Sequence, residues 1–284
     1  MIIDGTAIAK VIQDRVAEAI RHITSRAPGL AFILVGDNPA SSTYINMKKK
    51  KCKEVGILSV DMELPETISE SQLLEEIVKL NQDPSIDGIL VQLPLPKHIS
   101  TTKVMEAISP KKDVDGFHPL NVGKMLLGET DGFLPCTPLG ITVLLTHSNI
   151  EVAGKHVVVL GRSNIVGKPL AAILMQKAPH CNATVTIANS YTQNLVGISK
   201  SADILVAAIG HPHFVKKEMV KKGAVVIDVG INRIEEHAKI VGDVDFDAVA
   251  PLCSHITPVP GGVGPMTIAM LLSNTLLSFQ RKSQ

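Results

Sequence analysis

Apolar residues recur at Ile8, Val11, Ile12, Val16, Ala19, Ile20 and Ile23, the spacing of one helical face, so the pattern predicts an amphipathic helix over residues 5–26. The period then changes. Residues 30–35, LAFILV, form an unbroken apolar run, the mark of a strand covered on both faces. A helix is predicted over about 39–55, with Asn38 able to cap it, Pro39 suited to its first turn and Gly56 to its end. A strand near 57–63 follows, then a helix opened by the capping box Ser69 and Gln72, then a strand over 87–93, DGILVQL. This βαβαβ order predicts a parallel sheet covered by helices.

A second alternation begins after PCTP, residues 135–138. A helix near 139–147 leads to strands at 156–160, 184–188, 203–208 and 224–229, with helices between them and a last helix at about 265–281. The fold class expected is therefore α/β in two lobes with a cleft between them. The first lobe is 1–138, completed by the closing helix (about 265–284), and the second, 139–264, is a Rossmann-like doubly wound cofactor lobe.

Composition removes several function classes. The 284 residues include 28 basic and 27 acidic side chains, so no broad basic surface for nucleic acid is implied. Trp is absent and Tyr occurs only at Tyr44 and Tyr191, which leaves no aromatic platform for bases. Cys52, Cys136, Cys181 and Cys253 are far apart and form no C-x-x-C, so neither a zinc site nor a redox pair is suggested, and a reduced cytoplasmic setting fits best. Asp4 and Lys10 interrupt the apolar start, so a signal peptide is not expected there, and no window is long and apolar enough to span a bilayer.

Six segments could carry chemistry. In HVVVLGRSNIVGKP, residues 156–169, Gly161 ends a strand and Gly167 and Pro169 fall in the first turn of a helix. That is the strand–glycine–helix unit that receives dinucleotide phosphates. Ser163 stands at the second glycine position of the usual G-x-G-x-x-G, and the cation Arg162 follows the first glycine. In ATVTIANSYT, residues 183–192, the strand exit offers Asn189 and Ser190 but no acid to hold a ribose 2′-hydroxyl, so NADP is favoured over NAD. A tight turn with a surface arginine has the same spacing.

Tyr44 and Lys48 are four apart on the helix predicted over 39–55, and Cys52 and Val55 continue that face. A lysine beside a phenol in a partly dry site can exchange protons near neutrality. Spacing alone favours an ordinary snorkelling lysine. Gln92, in VQLPLP at 91–96, falls at the carboxyl end of a strand, where open α/β sheets bind ligands; a glutamine in a rigid loop fits equally. In KDVDGFHP, residues 112–119, Asp113 and Asp115 point opposite ways in extended chain, so one can face a ligand while the other is structural. A carboxylate there could accept paired N–H bonds from a heterocycle, and a turn built on Asp115-Gly116 fits equally. The glycines of VPGGVGPMT, residues 259–267, permit close approach to a flat ligand.

Taken in order, Tyr44-x-x-x-Lys48, VQLPLP, KDVDGFHPLNVG, PCTP, GRSNIVGKP, DVGIN and PGGVGPMT resemble, over essentially the whole chain, the bifunctional methylenetetrahydrofolate dehydrogenase/methenyltetrahydrofolate cyclohydrolase family in its compact bacterial form. The resemblance implies NADP-dependent oxidation of 5,10-methylenetetrahydrofolate to the methenyl cation, then hydrolysis to 10-formyltetrahydrofolate, without a metal. It makes Lys48 the catalytic lysine, Tyr44 the partner that orients the folate, Gln92 the residue that tunes the lysine and Asp115 the grip on the pterin. It places Leu93, Pro260, Gly261 and Gly262 with the folate, and Gly161, Arg162, Ser163, Ser190 and Ile231 with the cofactor. It also implies a homodimer made through the cofactor lobes. Where the family often has His-Ser followed by Lys or Arg, this chain has Asn189-Ser190-Tyr191, which puts more weight on Arg162. Narrower readings are a dehydrogenase alone, linked to NAD or NADP, and a non-catalytic folate- or nucleotide-binding homologue; the intact Tyr44, Lys48, Gln92 and Asp115 argue against the latter.

Overall fold

The computed structural model describes residues 1–234 and 239–282, so parts of the expected cofactor lobe (235–238) and closing helix (283–284) lie outside the described residues. The chain divides into two compact units, Val11–Cys136 with Ile268–Gln284, and Met1–Lys10 with Thr137–Thr267. The expected boundary kept residues 1–10 with the first lobe. They join the second unit because Ile3 N–H donates to the Ile256 carbonyl at 2.8 Å and Ile2 bridges Ile256 in parallel, adding to that unit's sheet.

Helix α1, Gly5–Arg21, stops short of the expected residue 26. Pro28 biases the residue before it toward extended backbone. Arg26 is drawn away to donate two bonds of 2.6 Å to the buried Asp87 carboxylate. Then come β1 (Gly29–Val35), α2 (Pro39–Val55), β2 (Leu58–Leu64), α3 (Glu70–Gln82) and β3 (Gly88–Val91). All three strands are parallel in the order β2-β1-β3. Every residue of the central β1 is buried, as its continuous apolar run requires, whereas edge strand β2 is mostly exposed. The capping box forms in full: Ser69 Oγ accepts the Gln72 N–H and Gln72 Oε1 accepts the Ser69 N–H. Ala31, Ile33, Leu73, Ile77 and Ile89 make the core between sheet and helix.

Periodicity did not reveal α4 (Thr101–Ala107) and α5 (Pro119–Leu127). The second depends on His118, whose Nδ1 accepts the Leu120 N–H at 3.0 Å, and on left-handed Gly128 at its end. Helix α6 (Cys136–His147) leads to β4 (His156–Leu160), α7 (Gly167–Leu174), β5 (Thr184–Ala188), α8 (Leu195–Lys200), β6 (Ile204–Ala207) and β7 (Val225–Asp228). A short hairpin, β8 (Asn232–Ile234) and β9 (Lys239–Val241), then α9 (Phe246–Val249), β10 (His255–Ile256) and α10 (Val263–Lys282) complete the chain. The parallel order β10-β7-β6-β4-β5 places β4 between β5 and β6, so the chain runs from β5 across β4 to β6. Such a switch point opens a crevice at the carboxyl ends of the strands.

Candidate active site

Helix α2 presents the first group of residues. Asn38 Oδ1 accepts the Ser41 N–H at 3.2 Å at its start, and Gly56, with φ of +90°, closes it. Of the four consecutive lysines only Lys48 turns inward, at 6% exposure. Lys49 pairs with Asp61 and Lys51 with Glu54 at the surface, both at 2.7 Å. Lys48 Nζ donates to Gln92 Oε1 at 3.1 Å and stands 5.4 Å from the centre of the Tyr44 ring. Gln92 is itself held: its backbone N–H donates to the Ile33 carbonyl at 2.9 Å and its Nε2 to the Leu93 carbonyl at 2.7 Å. The amide therefore offers its oxygen to the lysine.

Electrostatics here are dominated by the loss of water. Burial holds the Lys48 ammonium below the ordinary lysine pKa, opposed by the fields of Asp115, Cys136 and Cys52. Burial likewise raises Asp115, opposed by Lys48 and by the nearby Cys136 thiol, which donates to the Val114 carbonyl at 3.3 Å. The phenol of Tyr44 is raised, the Cys52 thiol is pushed up to about 12, and Cys136 is driven well up, all chiefly by burial. Two inert thiols thus flank one lysine that can give up its proton more readily than a solvated one.

The two aspartates divide their roles. Asp113 accepts from the N–H groups of Gly116 and Phe117 at 3.1 Å, from His118 N–H at 2.8 Å and from Asn121 Nδ2 at 2.8 Å. It shapes the loop, and burial pushes its carboxyl to about 6 despite those donors. Gly116 must be glycine: its φ is +77°, and a Cβ would lie 2.5 Å from Pro135 N. Asp115 is of intermediate burial as a residue, and no backbone donor holds its carboxylate among the described residues.

A cavity of about 340 Å³ lies at the carboxyl end of β4, lined by Gly161, Arg162, Ser163, Asn189, Ser190 and Ile209 among others. Its glycines answer to the protein's own packing. A Cβ on Gly161 would lie 2.1 Å from the Ala208 carbonyl oxygen, and one on Gly167 2.1 Å from that of Gly161. Ser163 Oγ accepts the N–H groups of Val166 at 3.1 Å and Gly167 at 3.3 Å. Arg162 is exposed, has no acidic partner among the described residues, and stacks 5.7 Å from the Tyr191 ring centre. The β5 exit is folded by Asn189, whose Oδ1 accepts the Tyr191 N–H at 3.0 Å and whose N–H donates to Thr192 Oγ1 at 2.9 Å. An unpaired cation and an acid-free rim suit a dinucleotide bearing an extra phosphate.

Two family models match the chain: the catalytic domain of tetrahydrofolate dehydrogenase/cyclohydrolase at residues 3–115, and its NAD(P)-binding domain at residues 135–283. The chain belongs to this family. It is 59% identical over 286 residues to the bifunctional protein FolD of Protochlamydia amoebophila, covering 99% of this chain and 98% of that one. It is 54% identical over 286 residues to FolD of Wolinella succinogenes, covering 100% and 98%. Among solved structures, the FolD methylenetetrahydrofolate dehydrogenase/cyclohydrolase of Campylobacter jejuni superposes with a TM-score of 0.96 at 48% identity, covering 99% of both chains. The Trypanosoma brucei FolD complexed with NADP cofactor and inhibitor gives 0.95 at 40% identity, covering 100% and 98%.

Within this tetrahydrofolate dehydrogenase/cyclohydrolase fold, Tyr44, Lys48, Gln92 and Asp115 come together in one unit, and Gly161, Arg162, Ser163 and Ser190 around one cavity in the other. Leu93 packs its side chain on the sheet core and contributes its carbonyl to Gln92. Ile231 follows β7 and is half exposed, apart from the residues lining the cavity. Pro260, Gly261 and Gly262 belong to the unit with the cavity, where Thr6 N–H donates to the Gly261 carbonyl at 3.1 Å and a Cβ on Gly262 would lie 2.5 Å from the Pro258 carbonyl oxygen. Sequence reasoning missed Cys136 beside Asp115, and Asn274 of α10, whose Nδ2 donates to the Val114 carbonyl at 2.8 Å. An asparagine inside the apolar run of a closing helix was the available signal for the second.

Proposed function

We propose that Lys48, Tyr44, Gln92 and Asp115 form the folate site, with Leu93, Pro260, Gly261 and Gly262 as further contacts, and that Gly161, Arg162, Ser163, Ser190 and Ile231 bind the cofactor. The chain oxidises 5,10-methylenetetrahydrofolate with NADP and hydrolyses the resulting 5,10-methenyltetrahydrofolate to 10-formyltetrahydrofolate. NADP, when bound, supplies the hydride acceptor. Arg162 would hold its extra phosphate, and Ser163 and Ser190 its polar rim.

The single observation that carries the reading is Lys48, buried on α2 and held by Gln92 Oε1 at 3.1 Å. Hydrolysis needs a group that takes a proton from water as it attacks the methenyl carbon. Burial supplies that group by favouring the neutral amine, and a cationic substrate beside it strengthens the preference. Gln92 fixes the position of Nζ, Tyr44 offers a flat face, and Asp115 accepts N–H bonds from the heterocycle. Orientation of both ligands is the protein's part in the hydride step.

Pairing of two copies through the cofactor units is part of the proposal, with tetrahydrofolate derivatives rather than nucleic acid as partners. So is a cytoplasmic setting, supported by four free cysteines, of which Cys52, Cys136 and Cys181 are buried. Among the described residues no helix is long and apolar enough to cross a membrane. Measuring methenyl formation and methenyl hydrolysis side by side, with NADP and with NAD, tests the whole. Absence of hydrolysis would leave a dehydrogenase alone, and absence of both a binding homologue.

A further inference from the structure

Two buried carboxylates lie behind the carboxyl edge of the cofactor sheet, outside the residues assigned above. Asp228 ends β7 and Asp243 follows β9; they are 3% and 0% exposed. Asp243 accepts from the N–H groups of Ile209 at 2.7 Å, Gly210 at 3.0 Å and His211 at 2.9 Å, and from Asn232 Nδ2 at 2.9 Å. Asp228 accepts from the N–H groups of Gly230 at 3.0 Å and of Asp243 and Val244 at 2.9 Å. One acid therefore holds the backbone of the other, and the second gathers the loop that leaves β6. The fit leaves no slack: a Cβ would lie 2.3 Å from Asp243 Oδ1 at Gly230 and 1.8 Å from Asp228 Oδ2 at Gly242.

The gathered loop matters because of what it carries. Ala208 and Ile209 line the cavity beside Gly161, and the Ala208 carbonyl is the atom against which Gly161 packs. Three successive N–H groups converge on one carboxylate, an arrangement that otherwise binds a free anion. Here the protein fills it with its own buried carboxylate. We propose that Asp243, supported by Asp228, is a positioning residue for NADP: it fixes the β6 exit loop as a rigid wall of the cofactor cavity. The proposal rests on the reading of that cavity as the NADP site.

The test uses the full chain with NADP titrated by calorimetry, steady-state kinetics, and methenyl hydrolysis measured separately. Asp243→Asn keeps the size but turns an N–H₂ toward backbone donors. Loss of charge-assisted bonds predicts a rise of about tenfold or more in the NADP Kd and KM. Turnover at saturating NADP and methenyl hydrolysis should stay within about threefold, since the Asp243 hydrogen bonds touch neither reacting centre. Gly210→Ala is the second variant. Its φ of +72° strains a side chain while nothing lies within 4 Å of the added Cβ, so only the loop is perturbed and NADP should loosen in the same direction. Unchanged NADP affinity in either folded variant would overturn the proposal. Equal loss of hydrolysis and NADP binding would too, by making Asp243 a general stability residue. Should Asp243→Asn fail to fold, Gly210→Ala decides alone. Failure of the unmodified chain to bind NADP would instead remove the cofactor reading itself.

Discussion

Replacing Lys48 with methionine separates function from stability at one position. Methionine fills nearly the same volume but removes the ammonium and its bond to Gln92. A positioned acid–base group contributes about 10²- to 10⁴-fold, so hydrolysis of supplied methenyltetrahydrofolate should fall by that order. Hydride transfer needs no proton from the lysine and should fall less, through poorer orientation of the folate. Stability should move the other way. Burial lowers the lysine pKa, so the folded state disfavours the proton relative to the unfolded chain, whose lysine titrates near 10.5. The charge therefore reduces stability at neutral pH, and that reduction is relieved as pH rises through the folded pKa toward the unfolded value. Losing the Gln92 bond costs about 1 kcal/mol, while removal of a buried charge returns at least as much, so Tm should be unchanged or higher. The assays are methenyl absorbance decay against the uncatalysed background and a thermal melt of the same sample. Near-normal hydrolysis in a folded Lys48→Met chain would refute the role of Lys48 and return it to an ordinary snorkelling lysine.

Three further outcomes are expected. Arg162→Ala should weaken NADP by about tenfold or more, the worth of a charge-assisted phosphate contact, and NAD much less; KM values for both cofactors check this, and equal losses would mean that Arg162 does not read the extra phosphate. Gln92→Leu removes the acceptor that favours the charged lysine, so the pH–rate profile of hydrolysis should move to lower pH, and a profile that stays in place would detach Gln92 from Lys48. Asp228 is pushed to about 6 by burial, above its ordinary 3.8, so its contribution to stability falls as pH rises through that window; the unfolding free energy of the unmodified chain minus that of Asp228→Asn should therefore decrease from pH 4 to pH 7 in urea titrations.

The alternation of strand and helix was legible because a buried parallel strand must be apolar throughout and a covering helix must be apolar on one face. The runs 30–35 and 156–160 accordingly lie in β1 and β4. Helices α4 and α5 were not legible. Each is short, seven and nine residues, so too few turns repeat for a periodic face to stand out. The contacts of the N-terminal segment were not legible for a related reason: its bonds to Ile256 join residues at opposite ends of the chain, and nothing local announces them.

The candidate site divides the same way. Four-residue spacing put Tyr44 and Lys48 on one helical face, and the glycine pattern of 161–167 marked a tight strand-to-helix turn; both are properties of local geometry that the sequence alone determines. Spacing could not say which lysine of a run of four loses its water. That was decided by tertiary structure, which brings Gln92 from 44 residues away to the amine and sets Asp115 and Cys136 within its field. It likewise decided that Asp113 serves the loop while no backbone donor holds the Asp115 carboxylate among the described residues, because the donors that occupy Asp113 exist only once the chain has turned at Gly116. Desolvation and charge pairing depend on neighbours in space, and those neighbours are chosen by the fold.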